Sequence, residues 1–385
     1  MRKKLWVILV VGVILRILLS LTTFHSDIQV FDFAGKVVAS GNILNLYDFS
    51  SNSAVLNYPP LIYLYHGIFN FLFSVLGLSG ITQFNFHLLL LKLPYFIFDL
   101  LTGFIFLKLF DNPKKSLLAF LLWIFNPINL YATYMMGQFD IIPTFFVILS
   151  VYLVIKNNLN WAALVLGFGV AFKLSPIFLV IPLVVLGRNY QERFRLLILS
   201  MVPYLLSIIP YLFSHSFRST ALFANQSSKS LYANIPVSGG EVIILFPAFL
   251  LFFYLIIWRP NIKISIWKLF LIPLLLFFVF THYHPQWLIW LTPLVILDLV
   301  TSRFKNFVSY LLIFVSWLVS LFFFDPTLTI GIFAPIWPSL QNSSSIWTIL
   351  HLNPDYNFAR SVLQTIFAAS SLYLIYEYFP RKNDA

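Results

Sequence analysis

Long apolar runs recur from one end of this 385-residue sequence to the other, and they constrain the fold more than any other feature. Most of these runs are about 20 residues long, which is the length that an α-helix needs to cross about 30 Å of hydrocarbon, and several are shorter. Only 10% of the residues are charged, whereas a soluble domain carries roughly 25%. The sequence therefore predicts an all-α, polytopic integral membrane protein, and it has too few alternating segments for a barrel.

About twelve spanning segments are predicted within a single transmembrane domain, residues 1–385. The first follows Met-Arg-Lys-Lys, is too long for a signal-peptide core and lacks a small-residue cleavage site, so we expect it to be retained. The predicted segments are 5–24, 87–109, 116–136, 140–156, 159–173, 174–187, 195–213, 240–258, 268–281, 286–300, 306–324 and 360–379. Alternatively, residues 159–187 form one pair of broken helices that meet at residues 173–176.

Basic residues predict how the segments are oriented. With the N-terminus in the cytoplasm, 17 of the 24 Lys and Arg residues lie on the cytoplasmic side, four outside and three within the membrane. This asymmetry satisfies the positive-inside rule, so the net charge of +11 indicates cytoplasmic helix ends rather than a nucleic-acid partner. Both termini are then cytoplasmic, and the long loops 25–86, 214–239 and 325–359 face outward.

A further apolar stretch, Leu61–Leu78, does not fit this orientation as a span. If it crossed the membrane, the later basic loops would lie opposite the basic N-terminus. His66 and Asn70 also interrupt it. We therefore expect a re-entrant or interfacial segment, with interfacial helices in the first outer loop.

The first hydrophobic segment is followed by the acid-containing stretch His25–Pro60. Asp27 comes two or three residues after that segment, where a carboxylate at the membrane–water boundary is suited to act as a general base. The alternative is that Ser26 or Asp27 caps an interfacial helix over residues 28–40. Asp32 lies one turn further on, and we expect it on a solvated face.

A second polar motif, Gly-Gln-Phe-Asp at 137–140, follows a predicted helix that contains Asn-Pro at 126–127. Gln138 and Asp140 could bind sugar hydroxyls or orient an acceptor. The alternative is a tight turn with a helix cap. Both interpretations fit the sequence.

Charged side chains inside the apolar runs are functional candidates by default, because a charge in the membrane is costly. Lys173 lies just before Ser-Pro at 175–176. Its charge could be compensated by a phosphate or by an acid such as Asp99. Lys92 and Asp99 are seven residues apart on roughly one face of a helix, and we expect an intramembrane pair with a structural or functional role.

The segment Thr281–Trp287 (THYHPQW) lies at the outer end of another predicted helix. His282 and His284 could donate to a phosphate or a sugar; alternatively, Tyr283 and Trp287 mark an aromatic belt. We expect no zinc, because two His at i, i+2 do not share a helix face, no third ligand is nearby and the sequence has no cysteine. No glycine-rich phosphate loop is present, so an activated sugar is expected on a lipid.

Several motifs occur in a defined order: an Asp after the first helix, Tyr-Pro-Pro-Leu at 58–61, Asn-Pro at 126–127, Gly-Gln-Phe-Asp at 137–140, Lys-x-x-Pro at 173–176 and Pro-Gln-Trp-Leu-Ile-Trp at 285–290. In this order they resemble the GT-C superfamily of multipass glycosyltransferases. The closest likeness is to the catalytic subunit that adds the first mannose to the GPI anchor and to its prokaryotic relatives. It covers about residues 5–186 and 280–293.

The resemblance implies an inverting enzyme with a polyprenyl- or dolichyl-phosphate sugar donor. It also implies a base at the outer end of the first helix, which is Asp27 here. The GPI enzyme has Asp-x-Asp at this place, whereas residues 26–29 are Ser-Asp-Ile-Gln. One acid is therefore missing, and Asp32 stays a second candidate.

Other family positions are matched as well: Asp140 resembles an acid of the second outer loop, and Lys173 resembles the Lys of the Lys-x-x-Pro step. Lys92 and Asp99 also resemble family positions. By role, the candidates are Asp27 and Asp32 for catalysis; Lys173, His282, His284 and Arg218 for the donor phosphate; and Gln138, Asp140, Tyr58, Gln286 and Trp287 for the sugar or acceptor.

We therefore expect a membrane glycosyltransferase that moves a hexose, with mannose as the expected sugar, from a polyprenyl-phosphate carrier to a lipid-linked or glycan acceptor. It would work on the outer face of a prokaryotic plasma membrane, among membrane lipids, without a cofactor or metal and without nucleic acid. The alternative from another class is a multipass transporter or lipid flippase. The polar motifs cluster at outer helix ends and no internal repeat is visible, which favours the enzyme.

Overall fold

The computed structural model describes residues 2–51, 54–78, 80, 83–259 and 264–380. Over these residues the protein is mainly helical. The helices of ten or more residues are α1 (Arg2–Thr22), α2 (Asp27–Ala39), α3 (Pro60–Val75), α4 (Phe84–Leu109), α5 (Pro113–Ile124), α6 (Ile141–Ile155), α7 (Leu159–Phe172), α8 (Tyr190–Ile208), α9 (Leu245–Ile257), α10 (Ile266–Phe280), α11 (Thr292–Thr301), α12 (Phe307–Ser320) and α13 (Tyr356–Tyr378).

Short helical turns and one hairpin connect these helices. The hairpin pairs β1 (Asn234–Ser238) with β2 (Glu241–Ile244) in antiparallel fashion. The turns are Leu46–Phe49, Pro127–Asn129, Leu130–Met135, Ser175–Leu179, Val180–Val184, Ile209–Tyr211, His215–Phe217, Arg218–Leu222, Asn225–Leu231, Pro285–Trp290, Leu321–Phe323, Pro326–Leu328, Gly331–Phe333, Pro338–Asn342 and Ile346–Ile349.

Five helical stretches of the described residues are long and apolar enough to cross a membrane, which supports the predicted all-α membrane class. They are Lys3–Thr22, Phe84–Leu109, Pro113–Met135, Tyr190–Tyr211 and Tyr356–Tyr378. The predicted count of about twelve spans is not confirmed, because the other apolar helices are shorter. α7, for example, has 14 residues and is about 21 Å long at 1.5 Å per residue, against about 30 Å of hydrocarbon.

A break follows α7 at the place where the sequence allows one. Lys173 has extended backbone angles, with φ −155° and ψ 137°, and a tight helical turn, Ser175–Leu179, follows it. Pro176 has no N–H with which to continue the hydrogen-bond ladder of α7. The break therefore leaves the Lys173 side chain at a helix end.

A second turn lies at residues 137–140. Gly137 has a φ of +67°, and a Cβ atom there would lie 2.8 Å from Cδ1 of Ile28. Glycine is favoured in such a conformation because it lacks the Cβ that would clash. The turn is therefore able to pack directly against the start of α2.

The first long loop contains α2 and α3 packed against each other. The helices approach closely at Gly67, where a Cβ atom would lie 2.2 Å from Cγ1 of Val38. α3 covers most of the stretch 61–78 and has 16 residues, about 24 Å at 1.5 Å per residue. This length is consistent with the predicted interfacial or re-entrant segment.

The expected pairing of Lys92 with Asp99 is wrong. Asp99 accepts hydrogen bonds from Arg16 and Tyr134, whereas the Lys92 ammonium donates to the carbonyl oxygens of Ser20 (3.3 Å) and Thr23 (2.6 Å). Seven residues along a helix correspond to about 10.5 Å of rise, which is too far for a direct contact. Lys92 instead satisfies carbonyl groups that the end of α1 leaves unpaired.

Candidate active site

Asp27 is the first residue of α2, and its side chain is 47% exposed. The amide Nε2 of Gln138 donates to its Oδ2 over 2.6 Å. The Ser26 side chain makes no capping bond to the helix, so the capping alternative for Ser26 is wrong. Among the described residues Oδ1 of Asp27 has no hydrogen-bond partner, which leaves one carboxylate oxygen available to accept a proton.

His25 lies beside this carboxylate as a neutral imidazole. Burial lowers the pKa of His25, and the carboxylates of Asp27 and Asp325 oppose that shift only in part. The backbone N–H of Asp27 donates to its Nδ1 over 3.3 Å. Nδ1 of His25 lies 3.6 Å from Oδ2 of Asp27, but with a neutral imidazole this contact is not an ion pair.

Lys173 forms a buried ion pair with Asp140. Its ammonium donates to Oδ1 of Asp140 over 2.6 Å, and the indole N–H of Trp290 donates to the same oxygen over 2.6 Å. The Lys173 and Asp140 side chains are 8% and 1% exposed. The acid that compensates Lys173 is thus Asp140 and not Asp99, and the Asp140 side chain makes no helix-capping bond.

Four aromatic rings surround the Lys173 ammonium. Its Nζ lies 5.1–5.4 Å from the ring centroids of Tyr58, Phe139, Trp287 and Trp290. A cation within about 6 Å of an aromatic face is attracted by the ring quadrupole. We call these four residues the aromatic cage. Together with Asp140 the aromatic cage stabilises the buried ammonium, and the carboxylate of Asp27 also acts on it electrostatically.

The turn 137–140 links Asp27 to Lys173. Gln138 binds the first and Asp140 the second. Two residues apart, their Cα atoms are separated by at most about 7.6 Å, since consecutive Cα atoms lie about 3.8 Å apart. A change at either end of the turn can therefore be transmitted to the other.

Lys229 and His284 form the other side of the site. Burial lowers the pKa of His284 to about 4, helped by the positive charges of Lys229 and Lys173 among its neighbours, while the Asp27 carboxylate opposes the shift. His284 is therefore neutral near pH 7, and its Nε2 accepts from the Lys229 ammonium over 2.6 Å. His284 thus lies within electrostatic range of Lys229, Lys173 and Asp27.

Lys229 is the cation that the sequence did not single out. It lies in the loop 214–239, where the sequence does not distinguish a lysine from a solvated surface residue. Among the described residues no carboxylate lies within 4 Å of its ammonium, and burial lowers its pKa. Unlike Lys173, it is paired with a neutral imidazole rather than with a carboxylate.

A cavity of about 270 Å³ opens beside Lys173. Its lining is polar at Asn57, Lys173 and Ser230 and apolar at Phe178, Ala224 and Phe277. The rings of Trp287 and Trp290 also form part of the wall. The arrangement suits an amphipathic ligand that has a polar head and an apolar tail.

Asp32 does not lie on a solvated face, so that expectation is wrong. Its Oδ2 accepts from Lys36 (2.7 Å) and contacts Nε2 of His87 (3.2 Å), and its side chain is 11% exposed. Burial raises the pKa of Asp32, but hydrogen bonds and charge from His87 and Lys36 outweigh it, and the pKa lies below its ordinary value. These two partners bind Oδ2, whereas Oδ1 of Asp32 is buried without a hydrogen-bond partner among the described residues.

The remaining candidates are divided between the site and its surroundings. Tyr58 and Trp287 belong to the aromatic cage, and Gln286 is buried next to it with no hydrogen bond to its Oε1 among the described residues. His282 lines a second, larger cavity. Arg218 donates to the carbonyl oxygen of Leu212 over 2.8 Å and lines neither cavity.

Residues 133–235 match the family described as Mannosyltransferase (PIG-M). The matched segment contains Gln138, Asp140, Lys173 and Lys229, and it ends before the segment of His284. Neither a curated protein nor a solved structure matches the chain. The family match confirms the resemblance to the GPI mannosyltransferase type and supports a glycosyltransferase, with mannose as the sugar that the family suggests.

Proposed function

We propose that this protein is an inverting mannosyltransferase that uses a polyprenyl-phosphate-linked mannose and a lipid-linked or glycan acceptor. The family match supports mannosyl transfer. The observation that carries the rest is a half-exposed carboxylate, Asp27, held by Gln138 within electrostatic range of Lys173 and of His284, the partner of Lys229. Lys173 in turn lines an amphipathic cavity. This combination meets the needs of a sugar phosphate on a lipid tail.

Asp27 acts as the general base. Its open Oδ1 takes the proton of the acceptor hydroxyl while the hydroxyl oxygen forms a bond to the anomeric carbon of mannose. The bond from that carbon to the phosphate oxygen breaks on the opposite face, and its electron pair leaves with the lipid phosphate. A positioned base contributes about 10²–10⁴-fold to such a rate.

Lys229, rather than Lys173, neutralises the departing phosphate. The charge of Lys173 is already met by Asp140 and the aromatic cage, whereas Lys229 is paired with a neutral imidazole. Ser230, the next residue, lines the 270 Å³ cavity, so Lys229 is close to a ligand there. A fixed cation where negative charge develops stabilises the transition state.

The donor is proposed to lie in the 270 Å³ cavity. Its sugar phosphate would face Lys173, Ser230 and the indole of Trp287, and its prenyl chain would follow Phe178 and Phe277. Lys173 and Asp140 then orient the aromatic cage against the sugar. We place the site on the outer face of a prokaryotic plasma membrane, with both termini cytoplasmic and no metal required.

Transfer from labelled donors tests this function. Membranes that express the protein are incubated with radiolabelled polyprenyl-phosphate mannose or with GDP-mannose, and labelled lipid and glycan are extracted. With synthesis of the lipid-linked donor inhibited, we expect transfer of label from the lipid-linked donor only, and much less of it in Asp27→Asn membranes. Transfer from GDP-mannose alone in the presence of an inhibitor of lipid-linked donor synthesis, or equal transfer by Asp27→Asn, would overturn the proposal.

A further inference from the structure

Helix α4 carries two buried charged side chains that the proposed mechanism does not use. Lys92 and Asp99 are both 0% exposed. They lie seven residues apart, about two turns of a helix, so they face roughly the same side of α4. A charge inside the membrane is costly, and well-packed apolar side chains often stabilise a protein as much as a buried ion pair does. Stability alone therefore does not account for these two residues.

Lys92 holds the chain at the end of α1, shortly before the proposed base. Its ammonium donates to the carbonyl oxygens of Ser20 over 3.3 Å and Thr23 over 2.6 Å. Among the described residues no carboxylate lies within 4 Å of it. Thr23 is buried and precedes Asp27 by four residues. Lys92 thus fixes the point from which the chain continues to Asp27.

Asp99 holds the segment that leads to Gln138. Its Oδ1 accepts from Nδ2 of Asn129 over 2.8 Å, and its Oδ2 accepts from the hydroxyl of Tyr134. Tyr134 precedes Gln138 by four residues, and the backbone N–H of Gln138 donates to the carbonyl oxygen of Ala132 over 2.9 Å. The Asp99 carboxylate therefore fixes the irregular turn from which Gln138 projects.

Helices α1 and α4 are held together at two points. At one point Thr23 accepts from Lys92, and at the other the guanidinium of Arg16 donates to Asp99. Arg16 and Thr23 are seven residues apart along the chain, as are Lys92 and Asp99. The two helices thus run antiparallel, and they cannot slide along each other without breaking both contacts.

We propose that Lys92 and Asp99 are positioning residues that set the contact between the Asp27 carboxylate and the Gln138 amide. Each of them holds one partner of that contact to the same face of α4. The contact is 2.6 Å long, and a hydrogen bond of this kind is lost when its atoms separate by about 1 Å. That the positioned carboxylate is a catalytic base rests on the proposed function.

Cross-linking of a cysteine pair tests the positioning without any transfer reaction. The chain has no cysteine, so Asp27→Cys with Gln138→Cys introduces two thiols at the ends of the contact. This pair lacks the hydrogen bond itself, so its approach depends on how the two segments are held. Purified full-length protein in detergent is treated with a short bifunctional methanethiosulfonate, and the cross-linked fraction is measured by intact mass over time.

Adding Lys92→Met or Asp99→Asn to the cysteine pair should slow cross-linking several-fold. Two milder variants serve if these proteins do not fold. Lys92→Gln keeps an N–H donor, and Tyr134→Phe removes a single hydroxyl from Asp99; both should slow cross-linking to a smaller degree. The matched control is Tyr378→Phe, which removes a buried hydroxyl that donates to Asp298, and it should leave the cross-linking rate unchanged.

Single-turnover transfer per folded molecule tests the consequence for the reaction. A misplacement of about 1 Å can cost about 10²-fold in rate, so Lys92→Met should lose about 10-fold to 10²-fold and keep its donor affinity. Lys92→Arg should recover part of the rate, because it retains a cation for the same carbonyl groups. In a Gln138→Ala background Lys92→Met should cost little more, because the contact that Lys92 positions is already absent.

Two results would overturn the positioning proposal. One is cross-linking that neither Lys92→Met nor Asp99→Asn slows; the other is a loss of rate from Lys92→Met that is equally large with and without Gln138. Neither result bears on whether the wild type transfers mannose. Conversely, a wild type that transfers no mannose, but whose cysteine pair depends on Lys92 and Asp99, would retain the positioning and lose the proposed function.

Discussion

Lys173→Met should destabilise the protein even when no substrate is present. The change leaves the Asp140 carboxylate buried, with the Trp290 N–H as its remaining side-chain donor. Removing one partner of a buried ion pair costs about 3–5 kcal/mol. Asp140→Asn should cost less, because the ammonium keeps four aromatic faces, each worth about 0.5–2 kcal/mol.

A double-mutant cycle measures the pair itself. Unfolding of the wild type, both single variants and the double variant is followed by circular dichroism in mixed micelles with increasing SDS. The double variant removes both charges, so its loss should be smaller than the sum of the single losses by about 1–3 kcal/mol. The exposed pair of Lys305 and Glu377 is the matched control, and its coupling should be about 0–1 kcal/mol.

The reasoning fails if Lys173→Met unfolds at the same SDS fraction as the wild type and the cycle shows no coupling. Lys173 would then not be paired with Asp140 in the resting protein. A lipid phosphate would become the better candidate for its partner. Such a result would also indicate that Lys173, rather than Lys229, neutralises the departing phosphate.

Two further predictions concern the groups around the site. Asp32→Asn should lower the melting temperature, because His87 and Lys36 lose their charged partner. Transfer per folded molecule should stay at the wild-type level. If the melting temperature is unchanged and transfer is lost, Asp32 is the base. The pKa of His284 is about 4 in the folded protein and about 6.5 in the unfolded chain. Between these pH values the unfolded state therefore binds more protons than the folded state. The free energy of unfolding should fall as the pH drops from about 6.5 to about 4. His284→Gln should remove that part of the pH dependence, and identical melting curves against pH for both proteins would show that His284 is not buried as a neutral base.

Much of the candidate site could be predicted because its polar residues interrupt apolar sequence. Asp27, the turn 137–140 and Lys173 are recognisable for this reason, and the structure brings them together. Their partners could not be predicted, since a contact such as Lys173 with Asp140 depends on how α7 packs against the start of α6. The prediction of Asp99 as a partner failed because Arg16, on another helix, reaches it.

Lys229 was not predicted from the sequence, and the predicted number of spans is not confirmed, for different physical reasons. In a polar loop a lysine has no unusual sequence context, and only its burial beside a neutral His284 distinguishes it. Hydropathy detects apolar segments but does not define where a helix begins and ends. Leu159–Phe172 is therefore among the predicted spans, although its 14 residues extend only about 21 Å of the roughly 30 Å of hydrocarbon. Asp32 was assigned to solvent because the sequence does not show that His87, on α4, lies against it.

The central claim is that Asp27 supplies the base and Lys229 the phosphate cation of one mannosyl-transfer site. Single-turnover transfer and donor affinity, measured on the same purified proteins with polyprenyl-phosphate mannose, test it most directly. Asp27→Asn should lose about 10²–10⁴-fold in rate and retain donor affinity, Lys229→Gln should lose both, and Asp32→Asn should lose neither per folded molecule. A wild-type rate for Asp27→Asn, or unchanged donor affinity for Lys229→Gln, would contradict the claim.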